Sequence, residues 1–320
     1  MKTIDLTELL GIQYPIIVAP MFLISNTEMV KAALDSGVTA AFPALNYRSD
    51  HELRKAIEDI RKYSNKPFGV NLIVNKSNPQ YRSQLKTLLE MRVNFIITSL
   101  GSPEEVIKQC KPLGIKVFCD VVDVKYAKKV ESLGADAIIA VNSVAGGHAG
   151  NIPPEVLISS LKKECHIPII TAGGIGKGFQ LKDAIKLGAA GASIGTIFIA
   201  SNEASVSKEY KQALVQYGAS DIVRTNKMSG SPLTVINTPY VKTIGTKANF
   251  LERLVNSNKW LKKYLKMFIM YRGMQTIEKA AFSATYKTVW CAGPAIEYIH
   301  SIRPMKQILD EFIEEYKQAA

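Results

Sequence analysis

A histidine between glycine residues is the part of this sequence best suited to catalysis. Residues 145–150 read Ala-Gly-Gly-His-Ala-Gly, and His148 is one of only four histidines in the chain. An imidazole moves protons near neutral pH, and the adjacent Gly146 and Gly147 let a flat ligand approach the backbone closely. The alternative is a tight turn that needs glycine at positive φ, and the six residues alone favour neither interpretation.

Two glycine-containing loops further along the chain predict a phosphate site. Gly173 and Gly174 follow an apolar run and precede a helical segment, an arrangement whose free N–H groups attract anions. The next apolar run ends in Ser193, Gly195 and Thr196. A phosphate shared by two such loops indicates a mononucleotide cofactor, and FMN fits this description. The chain contains neither a dinucleotide-binding GxGxxG fingerprint nor a GxxxxGK[ST] loop, so Rossmann and Walker sites are unsupported.

Strands and helices alternate through residues 15 to 200. Apolar, β-branched runs predict eight strands, at 15–19, 38–42, 68–74, 93–98, 115–121, 136–141, 167–172 and 191–195. Helical periodicity lies between them, at 27–36, 50–63, 80–91, 103–111, 124–133, 154–163 and 180–187. Eight regularly spaced units favour a TIM (β/α)8 barrel, and a doubly wound open sheet is the alternative.

In a TIM barrel the carboxyl ends of the strands form the active site, so the predicted strands select the site residues. The first strand leads to Ala19, Pro20 and Met21, the third contains Asn71, the fifth contains Asp120, and the sixth leads to His148. Each has a structural alternative: Asn71, for example, caps a turn, and Asp120 is a surface residue after a strand.

The alternation stops near residue 213. We expect residues 1–212 to form the barrel, 213–290 a smaller, mainly helical capping domain, and 291–320 a return to the barrel through a helix at 304–317. Within the capping domain, a turn-rich stretch at 228–232 precedes a helical region that extends to about 282.

Composition is that of a globular protein, with 47% hydrophobic and 21% charged residues. The formal charge is +12, and residues 247–279 concentrate eight basic against two acidic residues. Such a segment suits an anionic partner, but no nucleic-acid-binding module accompanies it, and a solvated helix face is the commoner explanation.

No apolar run is long enough to span a bilayer and the first residues lack a secretion signal, so we expect a cytoplasmic protein. The four cysteines show no metal spacing, and we expect buried thiols without disulfides or zinc.

Taken together, the motifs resemble the nitronate monooxygenase family, formerly called 2-nitropropane dioxygenases. The similarity is carried by residues 15–21, 69–72, 145–150, 172–175 and 195–196. It extends over nearly the whole chain, including residues 221–230 and 292–293.

The resemblance implies an FMN-dependent TIM barrel. Asn71, Gly146, Gly174 and the turn from Ser193 to Thr196 match FMN-binding positions, and residues 19–21 match the segment beside the isoalloxazine. His148 matches the catalytic base, which removes a proton next to a nitro group before flavin and oxygen oxidise the nitronate. Two positions depart from the family pattern: Val141 stands where better-characterised members have a glutamine, and Val144 where they have a glutamate.

Three functions follow, in this order. The first is oxidation of alkyl nitronates by oxygen to carbonyl compounds and nitrite. The second is reduction of an enoyl thioester by NAD(P)H through FMN, for which the basic segment would suit an acidic carrier protein. The third is a flavin-binding barrel with little catalysis, suggested by the two valines. A homodimer is compatible with each of them.

Overall fold

Eight parallel strands close into a barrel in the computed structural model, which describes residues 4–75, 78–226, 232–246 and 289–319. The prediction of a TIM barrel is confirmed, and every predicted strand is present. They follow one another around the barrel in chain order, and the last strand pairs with the first. The strands are β1 Ile16–Val18, β2 Thr39–Pro43, β3 Gly69–Ile73, β4 Phe95–Ser99, β5 Lys116–Val121, β6 Ala137–Val141, β8 Ile169–Ala172 and β9 Gly191–Ile194.

Helices surround the barrel, and most bury one apolar side against the strands. They are α1 Leu6–Leu10, α2 Thr27–Asp35, α3 Asp50–Tyr63, α4 Tyr81–Glu90, α5 Glu104–Cys110, α6 Val124–Ser132, α7 Pro154–Glu164, α8 Gly178–Lys186, α9 Thr196–Ile199, α10 Lys208–Gln216, α11 Pro239–Ile244 and α12 Met305–Gln318. Of the helices in the described ranges, none has both the length and the apolar character needed to cross a membrane.

The inside of the barrel is layered, because alternate residues of each strand point inward. The lower layers are apolar and include Ile17, Ile97, Phe118, Ile139 and Ile170, with Leu6 of α1 packed against them from the amino-terminal side. Two residues further along β4 and β5, the inward positions become polar. The barrel therefore has a packed floor and a polar wall near its carboxyl end.

A second sheet lies outside the barrel. It has three antiparallel strands in the order β10-β11-β7, namely β10 Ile222–Thr225, β11 Leu233–Ile236 and the two-residue β7 Gly147–His148. Our expectation of helix directly after the turn at 228–232 is wrong for Leu233–Ile236. A β-branched run bounded by Pro232 and Pro239 pairs with two partner strands instead.

The last helix of the chain, α12, lies against helices of the barrel. This helix packs against α8 and α2. Glu315 accepts hydrogen bonds from the Lys177 ammonium at 2.7 Å and from the Gly178 N–H at 2.9 Å. The basic segment at 247–279 and most of the expected helical region lie outside the described residues, so the proposed capping domain stays a prediction.

Candidate functional site

The loop that carries the histidine is in close contact with the end of the barrel. A Cβ placed on Gly146 would lie 2.8 Å from the Gly293 nitrogen and 3.1 Å from the Thr196 hydroxyl. That hydroxyl accepts a hydrogen bond from the Gly293 N–H at 3.0 Å. The loop after β6, the turn after β9 and the segment at 292–293 therefore meet at a point where only glycine fits at position 146.

The loop after β8 joins the same group of segments. Gly173 and Gly174 have φ of +113° and +80°, which L-residues rarely adopt, and a Cβ on Gly173 would lie 2.6 Å from the Ala145 backbone. Asn142, which is fully buried, ties the loops together: its amide donates to the Gly173 carbonyl at 3.0 Å and accepts from the Val144 N–H at 3.0 Å.

The segment after β1 reaches the same place. Ser25 holds this turn, donating to the Ala19 carbonyl at 2.8 Å and accepting from the Met21 N–H at 2.9 Å. A Cβ on Gly195 would lie 3.1 Å from the Met21 sulfur and 3.5 Å from the Ala19 Cβ. Of residues 19–21, the structure thus brings two into contact with the turn after β9, and Pro20 lies between them.

Unpaired polar groups in these loops fit a phosphate-bearing cofactor. Within the described residues, the half-buried N–H groups of Gly174 and Ile175 donate no hydrogen bond. Successive free N–H groups of this kind in a loop are suited to an anion. The residues present therefore fit the phosphate of a mononucleotide between the loops after β8 and β9.

A row of hydrogen-bonded side chains lies on the opposite wall. Asn71 donates to the Ser99 hydroxyl at 2.7 Å and to the Ile97 carbonyl at 3.1 Å, and Ser99 in turn donates to the Asp120 carboxylate. Asp120 is half-buried, and desolvation raises the pKa of its carboxyl to about 6, although the Ser99 hydrogen bond acts to lower it. The alternative interpretations of Asn71 as a turn cap and Asp120 as a surface residue do not describe these positions.

His148 lies on the second sheet, where it is opposite Leu233 of β11. Because paired residues point to the same side of a sheet, His148 shares a face with Leu233, and Thr234 faces the other way with Gly147. The histidine is exposed, yet the surrounding protein lowers the pKa of its imidazole by desolvation. Its ring is therefore neutral at neutral pH, the form in which a base accepts a proton.

Gly147 has the open backbone expected beside a ligand. Its φ is +72°, and a Cβ placed there would meet nothing within 4 Å. The turn interpretation of residues 145–150 is thus correct for the backbone, because Gly147 does adopt a positive φ, and it does not conflict with a catalytic histidine next to it.

The two valines make one side of the site apolar. Val141 packs against the interior cluster at the end of β6, and a Cβ on Gly174 would lie 2.7 Å from the Val144 side chain. Both are half-buried. The upper wall of the barrel is consequently polar at β3–β5 and apolar at β6 and β8.

Four residues with clear roles were missed by the sequence analysis. Asn142 and Ser99 give little signal in sequence, because each works through long-range hydrogen bonds. Arg224 donates to the carbonyls of Ala149 and Gly150, at 3.2 and 2.5 Å, and to the Asn151 side chain at 2.8 Å. Tyr210 donates to the Cys291 carbonyl at 2.6 Å and stacks on Trp290.

Comparisons with known proteins show which family the chain belongs to. The family model described as nitronate monooxygenase matches residues 4–84 and 76–315. A nitronate monooxygenase from Paraburkholderia phytofirmans is 30% identical over 271 residues, 70% of this chain and 74% of that protein. A relative from Rhodococcus jostii, named (3aS,4S,5R,7aS)-5-hydroxy-7a-methyl-1-oxo-octahydro-1H-indene-4-carboxyl-CoA dehydrogenase, is 32% identical over 246 residues, 76% of this chain and 68% of that protein.

Among solved structures, FabK from Thermotoga maritima superimposes with a TM-score of 0.84 at 29% identity, covering 98% of this chain and 96% of that one. The barrel described above is the fold shared with that solved structure, and the monooxygenase and dehydrogenase relatives support an oxidoreductase. With a family model that spans almost all of its residues, the chain belongs to the nitronate monooxygenase family.

Proposed function

We propose that the protein is an FMN-dependent nitronate monooxygenase, which oxidises alkyl nitronates with O2 to carbonyl compounds and nitrite. The observation that carries the proposal is the contact of Gly146, two residues before His148, with Thr196 and Gly293. It joins the histidine-bearing turn to the turn after β9, and the approach of Gly173 to Ala145 joins the same turn to the loop with unpaired N–H groups. A proton-accepting group and an anion site thereby share one end of the barrel.

The proposed roles follow from position. The N–H groups of Gly174 and Ile175, with Gly173, Ser193, Gly195 and Thr196, hold the FMN phosphate. Residues 19–21 and Gly146–Gly147 flank the ring with small side chains, and Asn71 and Asp120 face it from the polar wall. FMN, when bound, supplies the electron acceptor that passes electrons on to O2.

His148 prepares the substrate. One ring nitrogen of its neutral imidazole takes the proton from the carbon next to the nitro group, which yields a nitronate anion and an imidazolium. Preformed nitronates have already lost this proton and do not need the base. Exposure of His148 gives the proton a route to solvent after turnover.

An enoyl-thioester reductase that uses NAD(P)H is the second candidate. It is favoured by the structural similarity to FabK over 98% of the chain and by a relative whose name includes a carboxyl-CoA substrate. A barrel that binds flavin with little catalysis is the third, because Val141 and Val144 remove two polar side chains from the site.

Anaerobic mixing of the FMN-loaded protein separates the three. Bleaching of the flavin by a nitronate but not by NADPH supports nitronate oxidation. Rapid bleaching by NADPH overturns it in favour of the reductase, and no response to either reagent favours the third candidate. Anaerobic mixing with NADH tests whether that coenzyme reduces the flavin in place of NADPH.

Replacing the base tests the role of His148 within the proposed reaction. We expect His148→Ala to lower kcat/KM for neutral nitroalkanes by roughly 100-fold or more, the usual contribution of a general base, and to leave the rate with preformed nitronates nearly unchanged. His166→Ala is the matched control, because that side chain is 89% exposed and lies on the loop before β8. Equal losses on both substrates would rule out the base assignment.

A further inference from the structure

The polar wall of the barrel contains a carboxyl group, Asp120, for which the described residues supply no countercharge. Asp120 accepts from Ser99, and Ser99 accepts from Asn71, so the three side chains form one directed chain of hydrogen bonds. Directly below them the wall is apolar, with Ile97 and Phe118 at the preceding inward positions. The carboxyl therefore stands at the boundary between a dry core and the open mouth.

Within the described residues, desolvation and the Ser99 hydrogen bond are what act on the titration of Asp120, and the titratable groups beside it are neutral. On β5 itself, burial raises the pKa of the Cys119 thiol to about 12, and on α6 burial raises the pKa of Tyr126. β4 presents the Ser99 hydroxyl, and β6 presents aliphatic residues. In the described part of the chain, no lysine, arginine or histidine pairs with the carboxylate or contributes to its titration.

A carboxylate in this position is sensitive to any anion that enters the mouth. Repulsion between like charges is strong where the dielectric constant is low, and protonation of the carboxyl removes it. A carboxyl that is held only as an acceptor for Ser99 would behave differently, since it would stay ionised and exchange no proton. The proton balance of ligand binding thus separates the two roles.

We propose that Asp120 is a second proton-exchanging group of the active site, positioned by Ser99 and Asn71, and that it takes up one proton when an anionic ligand occupies the barrel mouth. The proton comes from solvent as the carboxylate becomes a carboxylic acid, and it returns to solvent when the ligand leaves. The inference rests on the proposed function, because it takes FMN to be that anion.

Calorimetry of FMN binding to the ligand-free protein, in two buffers of different ionisation enthalpy, measures the proton directly. At about pH 7 we expect uptake of a large fraction of one proton, and at about pH 5 much less, since the carboxyl is then already protonated. Asp120→Asn should abolish the uptake. Asp183→Asn, on the exposed side of α8, is the matched control and should behave as the unaltered protein.

Ser99→Ala tests the positioning role. The Ser99 hydrogen bond favours the ionised carboxyl, so its loss raises the pKa of Asp120 further and reduces the uptake at about pH 7 without abolishing it. A purely structural serine would leave the uptake unchanged. Binding of FMN with no buffer-dependent heat overturns the role of Asp120 and leaves the proposed function standing.

Failure of FMN to bind would overturn the proposed function and the claim that FMN is the anion. In that case the ligand-free protein still tests the carboxyl, by carbon NMR of aspartate labelled at the carboxyl carbon. A resonance that titrates near pH 6 and is missing in Asp120→Asn supports proton exchange in the neutral range. Titration at the ordinary value of an aspartate overturns it.

Discussion

The barrel end and the second sheet contribute to the same proposed site in different ways. At the barrel end, Gly173 and Gly146 approach other backbone segments so closely that no side chain fits. On the second sheet, Gly147 has open space around it and His148 is exposed on a strand of only two residues. The barrel therefore provides fixed positions for a cofactor, and the sheet provides a reactive side chain on a weakly constrained turn.

Adding one methyl group to each region gives the largest expected contrast. In Gly173→Ala, the backbone has a φ of +113° and the added Cβ lies 2.6 Å from the Ala145 backbone. We therefore expect this substitution to lower the free energy of unfolding by more than about 3 kcal/mol. Gly147→Ala has the positive φ but no clash, and should lower it by about 1–2 kcal/mol. Denaturant titration of the two variants measures both values.

The same pair of variants separates binding from stability. Gly173→Ala should also weaken FMN binding, because the neighbouring Gly174 N–H would be displaced from the proposed phosphate site. Equal destabilisation by the two substitutions would break the comparison, as it would show that the barrel loops relax as easily as the second sheet.

Replacing Asp120 by a neutral residue tests how its charge affects the stability of the barrel end. Its pKa of about 6 lies above the ordinary 3.8, so the folded protein keeps a proton that the unfolded chain has already lost between these values. The contribution of Asp120 to the free energy of unfolding is thus greatest below the ordinary pKa and falls as the pH rises to about 6. Asp120→Asn removes this fall and should stabilise the protein by about 2–3 kcal/mol at pH 8.

Thermal unfolding across the pH range checks this prediction. Near pH 4 the two proteins should have similar midpoints, because the carboxyl is then protonated and resembles an amide. A constant difference at all pH values would mean that Asp120→Asn acts through packing, and that the carboxyl titrates normally.

Much of the barrel was predictable from sequence, because its signals are local. β-branched runs such as Ile169–Ala172 and Ala137–Val141 identify buried strands by themselves, and regular spacing identifies the closed barrel. Asn71 and Asp120 were selected for the same reason, since a residue near the carboxyl end of a strand faces the mouth. Local sequence signals were therefore enough to predict the fold and to select some of the candidate site residues.

The second sheet was not predictable in the same way. A strand of two residues, Gly147–His148, has no period to detect, and it exists only because β11 pairs with it across 85 residues of sequence. Ser99 and Asn142 were missed because their hydrogen bonds join strands and loops that are distant in sequence. Long-range pairing placed His148, and no local pattern encodes such pairing.

Removing the Arg224 hydrogen bonds to the histidine-bearing turn has the smallest expected effect. The Arg224 guanidinium bonds the carbonyls of Ala149 and Gly150 and the Asn151 side chain, but it is exposed, so Arg224→Gln should cost about 1 kcal/mol of stability or less. The turn at 147–151 should exchange its amide hydrogens faster, while the loop at 173–175 stays protected. Hydrogen–deuterium exchange resolves the two segments.

Arg303→Gln provides the control, since Arg303 forms an exposed ion pair with Glu311 beside α12, and it should change neither loop. Equal acceleration at 147–151 and 173–175 would show that the two regions open as one unit. The contact at Gly146 would then couple the opening of the two segments, and the barrel end would be no more rigid than the second sheet. Acceleration confined to 147–151 would locate the flexibility of the proposed site in the segment that carries its base.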